Sequence, residues 1–291
     1  METGYHPGEK HLQGRMGELA VAAKVGQMIT PVIPPAAIQF LREQFFVVTA
    51  TLQEDQIPWP DLLLGHPGFL QATGPSTLHI SGIGQDRGFQ LGQEIGTLTL
   101  QPHTRRRMRL NGTVTSLEAG LTIEAHQVYS NCPKYIQART FEPRTRPEPQ
   151  TLHLTALDPT TLRIIEQADT FFVASGARGY GADASHRGGH PGVIKVQDAQ
   201  TLSFPDFSGN RMYNTLGNLH LNPKVGLLFV DFADGHVLRL LGKAEVLIGE
   251  DLSRTVEVHL EAADLTQHAF PYHQRFLGYS PHIPRSEGEH P

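Results

Sequence analysis

Three side chains in the second half of the chain have the chemistry to hold an anion. Lys195 lies in the apolar run HPGVIKV (190–196), while Asn210 and Arg211 follow a glycine just before apolar residues at helical spacing (212–219). Backbone N–H groups at a helix N-terminus favour negative charge, and an arginine adds a bidentate donor. The pattern predicts an anion site. The alternative is that Asn210 only caps the helix and Arg211 is solvated.

A second group of hydrogen-bond donors precedes Lys195. The stretch SHRGGHPG (185–192) is rich in glycine and brings Ser185, His186 and Arg187 next to the same apolar run. We interpret it as a Gly-rich turn that either flanks a ligand or is a plain hairpin loop without function. These residues alone leave both interpretations open.

Composition narrows the class of protein. The chain has 291 residues, a formal net charge of −5 and a pI near 6.3, which argue against a nucleic-acid-binding protein held by bulk charge. No apolar run approaches the roughly 18–20 residues that a membrane helix needs, and no secretory signal is apparent at the N-terminus. Cys132 is the only cysteine, so no internal disulfide can form. We therefore expect a cytoplasmic protein with neither a nucleic-acid nor a membrane partner.

Metal binding and thiol chemistry find little support in the sequence. There are 16 histidines, but neither an HExxH nor a CxxC pattern, and His186 and His190 share a Gly-rich turn rather than a helix face. We expect no metal. Cys132 has no identifiable catalytic partner and is expected to be a buried structural thiol rather than a nucleophile.

The two halves of the chain share a series of short segments in the same order. At offsets of 124 to 133 residues, FFVVTA (45–50) matches FFVASG (171–176), HPG (66–68) recurs at 190–192, TLHI (77–80) matches TLSF (201–204), MRLNGTV (108–114) matches LRLLGKAEV (238–246), and IEAH (123–126) matches VEVH (256–259). Five matches in one order indicate an internal duplication. The second half also has an insertion, FPDFSGNRMYNTLGNLHLNP (204–223).

The matched segments predict a mainly β fold with short helices. They are rich in Val, Ile, Phe, Leu and Thr and bounded by Gly, Pro and Asp, which is typical of strands. Each half begins with a predicted helix, at 34–44 and at 158–168, and Asp158 is the predicted N-cap of the second. Six strands after each helix favour a small barrel in each half. The predicted units are an N-terminal extension (1–34), a first barrel (35–138), a polar, Pro-rich linker (139–156), a second barrel (157–280) and a polar tail (281–291).

These segments together resemble the FMN-binding split-barrel proteins related to pyridoxamine 5′-phosphate oxidase. The second half resembles them in SHRGGHPGVIKV (185–196), in 201–232 and in LRLLGKAEV (238–246). WPDLLLGHPGFLQA (59–72) and VYSNCPKYIQAR (128–139) resemble the two-repeat, predicted flavin-nucleotide-binding branch of the family. The resemblance implies two tandem six-stranded split β-barrels that form an intrachain pseudo-dimer, with FMN in the groove between them.

The resemblance also implies which residues bind the cofactor. In the family, basic and small polar residues of the second strand run and of the turn before the short helix hold the flavin phosphate. The corresponding positions here are Lys195, Asn210 and Arg211, with Ser185, His186, Arg187 and Asp206 as neighbours. The first half has Gln71 in place of Lys195 and SGIGQDRGFQLGQEIG (81–96) in place of the helix turn. We therefore expect one complete phosphate site, in the second barrel.

For activity, the resemblance implies an FMN-dependent oxidoreductase that acts on a small molecule, with NAD(P)H as a candidate electron donor and a homodimer as a candidate assembly. The C-terminal segment 271–291 lacks the Arg- and Trp-containing signature with which pyridoxamine 5′-phosphate oxidases bind their substrate, so that oxidase activity is not expected. No residue is identified as catalytic. The alternative is a non-catalytic flavin or haem carrier or sensor.

Two further features have open interpretations. In TRRRMRLNG (104–112), strand alternation places Arg105, Arg107 and Arg109 on one face, which is either solvated or lines the groove between the barrels. Trp59 either stacks on an aromatic ligand or packs as a hydrophobic anchor.

Overall fold

The computed structural model describes residues 4–84 and 87–284, and this part of the chain is mainly β with short helices, as predicted. Its α-helices are α1 (Pro7–Arg15), α2 (Leu19–Gly26), α3 (Pro35–Arg42), α4 (Pro159–Gln167) and α5 (Asn214–Leu221). Short 3-10 turns lie at Glu54–Gln56 and Pro102–Thr104. The helices predicted before each half correspond to α3 and α4, and the Asp158 side chain caps α4 by accepting from the Thr161 N–H (2.8 Å).

The first sheet is an antiparallel sheet of seven strands. In chain order these are β1 (Phe46–Leu52), β2 (Pro58–Leu64), β3 (Leu70–Ala72), β4 (Thr77–Ile80), β5 (Glu94–Gln101), β6 (Arg106–Ser116) and β7 (Leu121–Ser130). Across the sheet they follow the order β2-β1-β5-β6-β7-β4-β3.

The second sheet has the same order with an additional strand. After the first sheet the chain forms β8 (Ala138–Pro143) and β9 (Gln150–Leu154). The second sheet then contains β10 (Thr170–Ala177), β11 (Gly181–Gly188), β12 (Lys195–Val196), β13 (Thr201–Pro205), β14 (Lys224–Val230), β15 (Val237–Ile248) and β16 (Arg254–Gln267). The last strand is β17 (Tyr272–Gly278). The order is β11-β10-β14-β15-β16-β13-β12, β9 adds to β16, and β17 pairs with β8.

The prediction of six strands in each half is wrong. The first sheet has seven strands and the second has eight, because Pro58–Leu64 and Gly181–Gly188 each form a full strand beside the first strand of the sheet and β9 adds to β16. In the described ranges no pairing joins the two edge strands of either sheet, so both sheets are open. Of the predicted linker, residues 139–143 belong to β8 and residues 150–154 form β9.

The first four residues of the predicted turn SHRGGHPG (185–192) belong to strand β11, whose sequence, GADASHRG, has few β-branched or aromatic residues. Most of it is buried. Both faces are packed, one against the first sheet and one against α5, so small side chains are needed where larger ones would promote a strand in isolation. Ser185, His186 and Arg187 therefore lie on a strand rather than in a loop.

The described residues form four buried hydrophobic clusters: one within each half, one shared between the two sheets, and a small one of Tyr5, Ala22, Tyr129 and Met212. The shared cluster joins the two sheets face to face through apolar residues of both, including Phe46, Val48, Leu98, Phe172, Ala184 and Leu228. Two glycines permit this close approach. A Cβ on Gly96 of β5 would lie 2.3 Å from the Ala182 carbonyl oxygen of β11, and one on Gly226 of β14 would lie 2.5 Å from the Pro58 oxygen of β2.

The N-terminal segment packs on the second half of the chain. Helix α1 contacts α5 so closely that a Cβ on Gly8 would lie 2.1 Å from the Gly217 carbonyl oxygen. Gln13 donates to the Met212 carbonyl over 3.0 Å. Part of the predicted extension is thus built into the wall of the second unit. Residues 285–291 of the predicted tail lie outside the described part.

None of the described helices is long and apolar enough to cross a membrane.

Candidate functional site

A cavity of about 100 Å³ lies where the two sheets meet, between β6 of the first and β11 of the second. Strand β6 contributes Arg107 and Arg109, and β11 contributes Ser185, His186 and Arg187. The other polar walls include Asn131, Tyr135, Asp206, Asn210, Arg211, Asn214, Thr215 and Arg254. Both halves of the chain therefore build one cavity.

Arg109 forms the buried base of this cavity. Its Nη1 donates to Tyr129 Oη (2.8 Å) and to Asp183 Oδ1 (3.2 Å), and its Nη2 donates to Ser185 Oγ. Asp183 also accepts from Asn218 Nδ2 over 2.8 Å. Because the ion pair with Asp183 is enclosed and further hydrogen-bonded, Arg109 is fixed and its charge is balanced.

Asp206 balances the charge of two arginines at once. Its Oδ1 accepts from Arg187 Nη2 (2.9 Å), and its Oδ2 accepts from Arg254 Nε (3.0 Å). Arg254 Nη2 also donates to the Asp206 backbone oxygen over 2.9 Å. One carboxylate shared by two guanidinium groups leaves one positive charge in excess here.

Arg107 has no carboxylate partner in the described residues. Its Nη1 contacts Nδ1 of His186 at 3.1 Å, and since arginine can only donate, the imidazole nitrogen accepts. Burial, together with the neighbouring Arg109 and Arg187, lowers the pKa of Arg107 to about 9. Burial and then the charges of Arg107 and Arg187 hold the pKa of His186 well below its usual range, so His186 is neutral at pH 7.

Several N–H groups around the cavity lack acceptors. Within residues 4–84 and 87–284, no hydrogen-bond partner is present for the buried atoms Arg107 Nε, Arg187 Nε, His186 Nε2 and Asn131 Nδ2. A buried donor without an acceptor costs about 1–3 kcal/mol, so such groups usually face a ligand or ordered water. An oxyanion in this cavity is a ligand of suitable chemistry.

The turn before α5 differs from its prediction. Helix α5 begins at Asn214, with Tyr213 as its N-cap, so Asn210 and Arg211 precede the helix instead of opening it. Arg211 and Tyr213 both have left-handed backbone angles (φ 65° and 61°), which interrupt the helical path. Asn210 Oδ1 accepts from the Met212 N–H (3.1 Å), and this side chain shapes the turn.

The Arg211 side chain is also less available to bind an anion than its position in the sequence indicates. Its side chain is 44% exposed and forms an ion pair with Glu18 Oε1 at 2.9 Å, while Glu18 Oε2 accepts from Tyr213 Oη at 2.6 Å. The N-terminal segment thus supplies a carboxylate to the edge of the cavity.

Of the predicted cofactor residues, the structure gathers six around the cavity: Ser185, His186, Arg187, Asp206, Asn210 and Arg211. Lys195 is not among the lining residues. It is exposed on the two-residue edge strand β12, opposite Ser203, whereas the preceding Ile194 is buried in the core. A strand alternates faces, so burying Ile194 turns Lys195 outward.

Sequence reasoning missed Arg107, Arg109, Asn131, Thr215 and Arg254 as site residues. A signal was present for the first two, because alternation in TRRRMRLNG placed them on one face that either was solvated or lined the groove. In the structure Arg107 and Arg109 line the cavity between the two sheets. Arg105 lies before β6 and instead donates to the Ile136 and Tyr279 carbonyl oxygens.

Other candidate residues lie outside the cavity lining. Trp59 packs under the Arg239 guanidinium at 4.2 Å, as a packing anchor would. Cys132 is half-buried next to the lining residue Asn131. In the described ranges no group of three or more His, Cys, Asp or Glu side chains is arranged to hold a metal ion.

Comparison with known proteins gives matches among solved structures. The sequence matches no protein family profile and no curated protein. Among solved structures, one match is a Clostridium acetobutylicum protein related to general stress protein 26 of the pyridoxinephosphate oxidase family, at 14% identity over 40% of this chain and 92% of that one, with a TM-score of 0.30. Another is a FAD-binding protein from Mesorhizobium loti, at 10% identity over 41% and 98% of the two chains, with a TM-score of 0.31. A third is an F420 reductase, at 12% identity over 35% and 93%, with a TM-score of 0.27. Similarity at this level carries no functional argument, which the geometry of the cavity must supply.

Proposed function

We propose that the chain binds FMN, with the phosphate in the cavity between β6 and β11, and acts as an FMN-dependent oxidoreductase on a small molecule. The excess positive charge of the cavity carries this proposal. Five arginines line it, and the carboxylates that reach them are those of Asp183, Asp206 and Glu18. Among the residues that the structure describes, two positive charges are left over, which match the dianionic form of a phosphate monoester.

The location of the excess charge supports the same ligand. One unbalanced charge belongs to Arg107, and the other is shared by Arg187 and Arg254 around Asp206. Unpartnered Nε–H groups of Arg107 and Arg187 are ready to donate to phosphate oxygens. The first turn of α5, with Asn214 and Thr215, also lines the cavity and adds the positive end of a helix.

The organic part of the ligand would lie against aromatic side chains. Tyr135 and Phe207 both line the cavity, with ring centroids 5.2 Å apart, and Tyr135 Oη is held by the Ser208 carbonyl (2.8 Å). When bound, a flavin supplies the electron chemistry. The chain's own residues anchor the phosphate, orient the ring and limit water around it.

One observation favours flavin over haem. His186 is the histidine among the lining residues, and its Nδ1 already accepts from Arg107 while its Nε2 is buried. Because Nδ1 accepts from Arg107, the neutral imidazole carries its proton on Nε2, and neither nitrogen has a free lone pair for an iron atom. The non-catalytic alternative is therefore narrowed to a flavin carrier or sensor.

We also propose that the chain is a duplicated split barrel forming an intrachain pseudo-dimer. The two sheets share one strand order, and each has a register shift at a glycine of its sixth strand, between Asn111 and Gly112 and between Leu241 and Gly242. Ala50 pairs with Gly96 as Ala174 pairs with Gly226, and these glycines form the two close contacts between the sheets. This pairing indicates that Ala50 and Ala174 occupy equivalent positions in the two sheets. The match between FFVVTA (45–50) and FFVASG (171–176) instead aligns Ala50 with Gly176, two residues further along the chain.

Titration with FMN and riboflavin tests the binding proposal. Quenching of flavin fluorescence is measured for the wild type, Arg107→Gln and the matched control Arg106→Gln, whose side chain is exposed over Phe40. We expect Arg107→Gln to weaken FMN binding by roughly tenfold or more, because a charge-assisted hydrogen bond is lost. Riboflavin binding and the control should not change. Equal affinity of the wild type for FMN and riboflavin would overturn the phosphate assignment.

Reduction of the bound flavin tests the enzyme proposal. NAD(P)H is added without oxygen to the FMN-loaded protein, and the flavin absorbance is followed before and after air is admitted. Bleaching and recovery support an oxidoreductase with this donor. A bound flavin that dithionite reduces but NAD(P)H does not would exclude this electron donor, and failure with other donors would favour the carrier.

A further inference from the structure

The hydroxyl group of Ser185 has an unusual surrounding. Ser185 lines the cavity and is 2% exposed. Its Oγ accepts one hydrogen bond from Arg109 Nη2 and a second from Thr215 Oγ1 (2.9 Å). A serine hydroxyl has two acceptor lone pairs and one proton, so both lone pairs are in use. The proton must point away from Arg109 and Thr215, and the part of the chain that the structure describes offers it no acceptor.

Arg109 cannot withdraw its hydrogen bond from Ser185 Oγ. It is enclosed, it only donates, and it is held by Asp183 and Tyr129. Asp183 is itself fixed by Asn218 and by Asn111 Nδ2 (2.6 Å). Arg109 therefore always presents a donor to Ser185, whatever the cavity contains.

We propose that Ser185 is a hydrogen-bond donor to the bound anion and that Arg109 and Thr215 are positioning residues that turn its proton into the cavity. The inference rests on the proposed anion site and deepens it by defining what that site selects. A hydroxyl whose lone pairs are both occupied can only give a hydrogen bond. The site therefore requires an acceptor oxygen at this position, and a charged oxygen of an ionised phosphate is a stronger acceptor than a neutral hydroxyl.

A double-mutant cycle on Ser185 and Thr215 tests the inference. Binding of FMN, riboflavin and inorganic phosphate is measured by calorimetry for the wild type, Ser185→Ala, Thr215→Val and the double variant. Urea unfolding checks the fold, and Thr215→Ser, which keeps the hydroxyl, is the conservative control. We expect Ser185→Ala to weaken FMN and phosphate binding by roughly tenfold or more, since a hydrogen bond to a charged group is lost. Riboflavin binding should not change.

The decisive result is the effect of Thr215→Val in the two backgrounds. We expect it to weaken phosphate binding in the presence of Ser185 and to have no effect once Ser185→Ala is made, because Thr215 acts through Ser185. Thr215→Ser should bind like the wild type. An equal loss in both backgrounds would mean that Thr215 contacts the ligand itself and would overturn the positioning role.

The arms of the experiment separate failure of the inference from failure of the proposed function. If inorganic phosphate binds but FMN binds no better than riboflavin, the FMN proposal fails and the cycle is completed with phosphate. If FMN and phosphate bind but Ser185→Ala has no effect, the inference fails and the FMN proposal stands. If neither anion binds to the wild type, both are wrong.

Discussion

Arg107 of β6 donates a hydrogen bond to Nδ1 of His186 on β11 over 3.1 Å, and so joins the two sheets at the wall of the cavity. The contact fixes the histidine tautomer with its proton on Nε2, while burial and then the charge of Arg107 lower its pKa and keep the imidazole neutral. In residues 4–84 and 87–284 no carboxylate pairs with Arg107, which distinguishes Arg107 from the other arginines of the cavity.

Anion affinity should have an optimum between about pH 6 and pH 9. Below about pH 6 a phosphate monoester gains a proton and loses half its charge. The pKa of Arg107, lowered to about 9, is the pH above which the free protein loses this charge, and an anion that binds the charged form raises that pKa in the complex. Calorimetric titrations with FMN, which is a phosphate monoester, from about pH 5 to about pH 10 measure the profile. Arg107→Gln should abolish the decline above pH 9 and keep the one below pH 6; a decline that persists in this variant would contradict the assignment.

Removing the carboxylate at the edge of the cavity should strengthen anion binding. Glu18 neutralises Arg211 through an ion pair of 2.9 Å, so Glu18→Gln frees a positive charge for the ligand. The expected gain in FMN affinity is about threefold, since partly exposed pairs contribute less than about 1 kcal/mol. Arg211→Ala should lower affinity by a similar factor. Glu118→Gln, on an exposed side chain, controls for net charge, and an equal gain there would refute the local effect.

Substitution of two glycines at equivalent contacts between the sheets should separate an effect on the free energy of unfolding from an effect on FMN affinity. Gly96→Ala and Gly226→Ala each place a Cβ within 2.5 Å of atoms of the opposing strand, and each should destabilise the chain by about 1–3 kcal/mol in urea unfolding. Only Gly96 packs against β11, which carries Ser185 and Arg187. FMN affinity should therefore fall in Gly96→Ala and be retained in Gly226→Ala, and equal losses would mean that the strand contact does not shape the site.

The contribution of Glu9 to the stability of the fold should decrease as pH rises from about 4.5 to 8, whereas that of His186 acts in the opposite direction. Burial, and then the charge of Asp183, raises the pKa of Glu9 from 4.5 to about 8, so the native state keeps a proton that the unfolded chain releases. In this window the native state binds more protons, so unfolding becomes easier with rising pH, by on the order of 1 kcal/mol for each pH unit.

Urea unfolding at several pH values measures the slope for Glu9. Glu9→Gln cannot ionise and should flatten it, while Glu148→Gln, on an exposed side chain of the β8–β9 connection, should retain it. The same pH dependence of the free energy of unfolding in the wild type and in Glu9→Gln would show that Glu9 has no raised pKa.

Much of the architecture was available from the sequence because it depends on local rules. The capping pattern around Asp158 and Pro159 sets the start of α4, and the alternation in TRRRMRLNG sets which arginines share a face of β6. The run that contains Met212, Leu216 and Leu219 predicted the helix of the insertion, and all three are buried.

Other features required the packed structure. Strand β11 has no strand signature, since its small residues are needed only because it is packed on both faces. The direction of Lys195 follows from the burial of Ile194, and the counter-charge on Arg211 comes from Glu18, far away in the chain.

The sequence by itself determined the class of elements, the donor types and the segment around Ser185 and Asn210 that supplies half of the site, because propensity, capping and alternation act over a few residues. Only the tertiary structure decided that Arg107 and Arg109 line the cavity and that Lys195 does not. Which residues line the cavity depends on which faces of β6 and β11 pack together. Close packing at Gly96 and the ion pair between Arg109 and Asp183, which are distant in sequence, determine this packing.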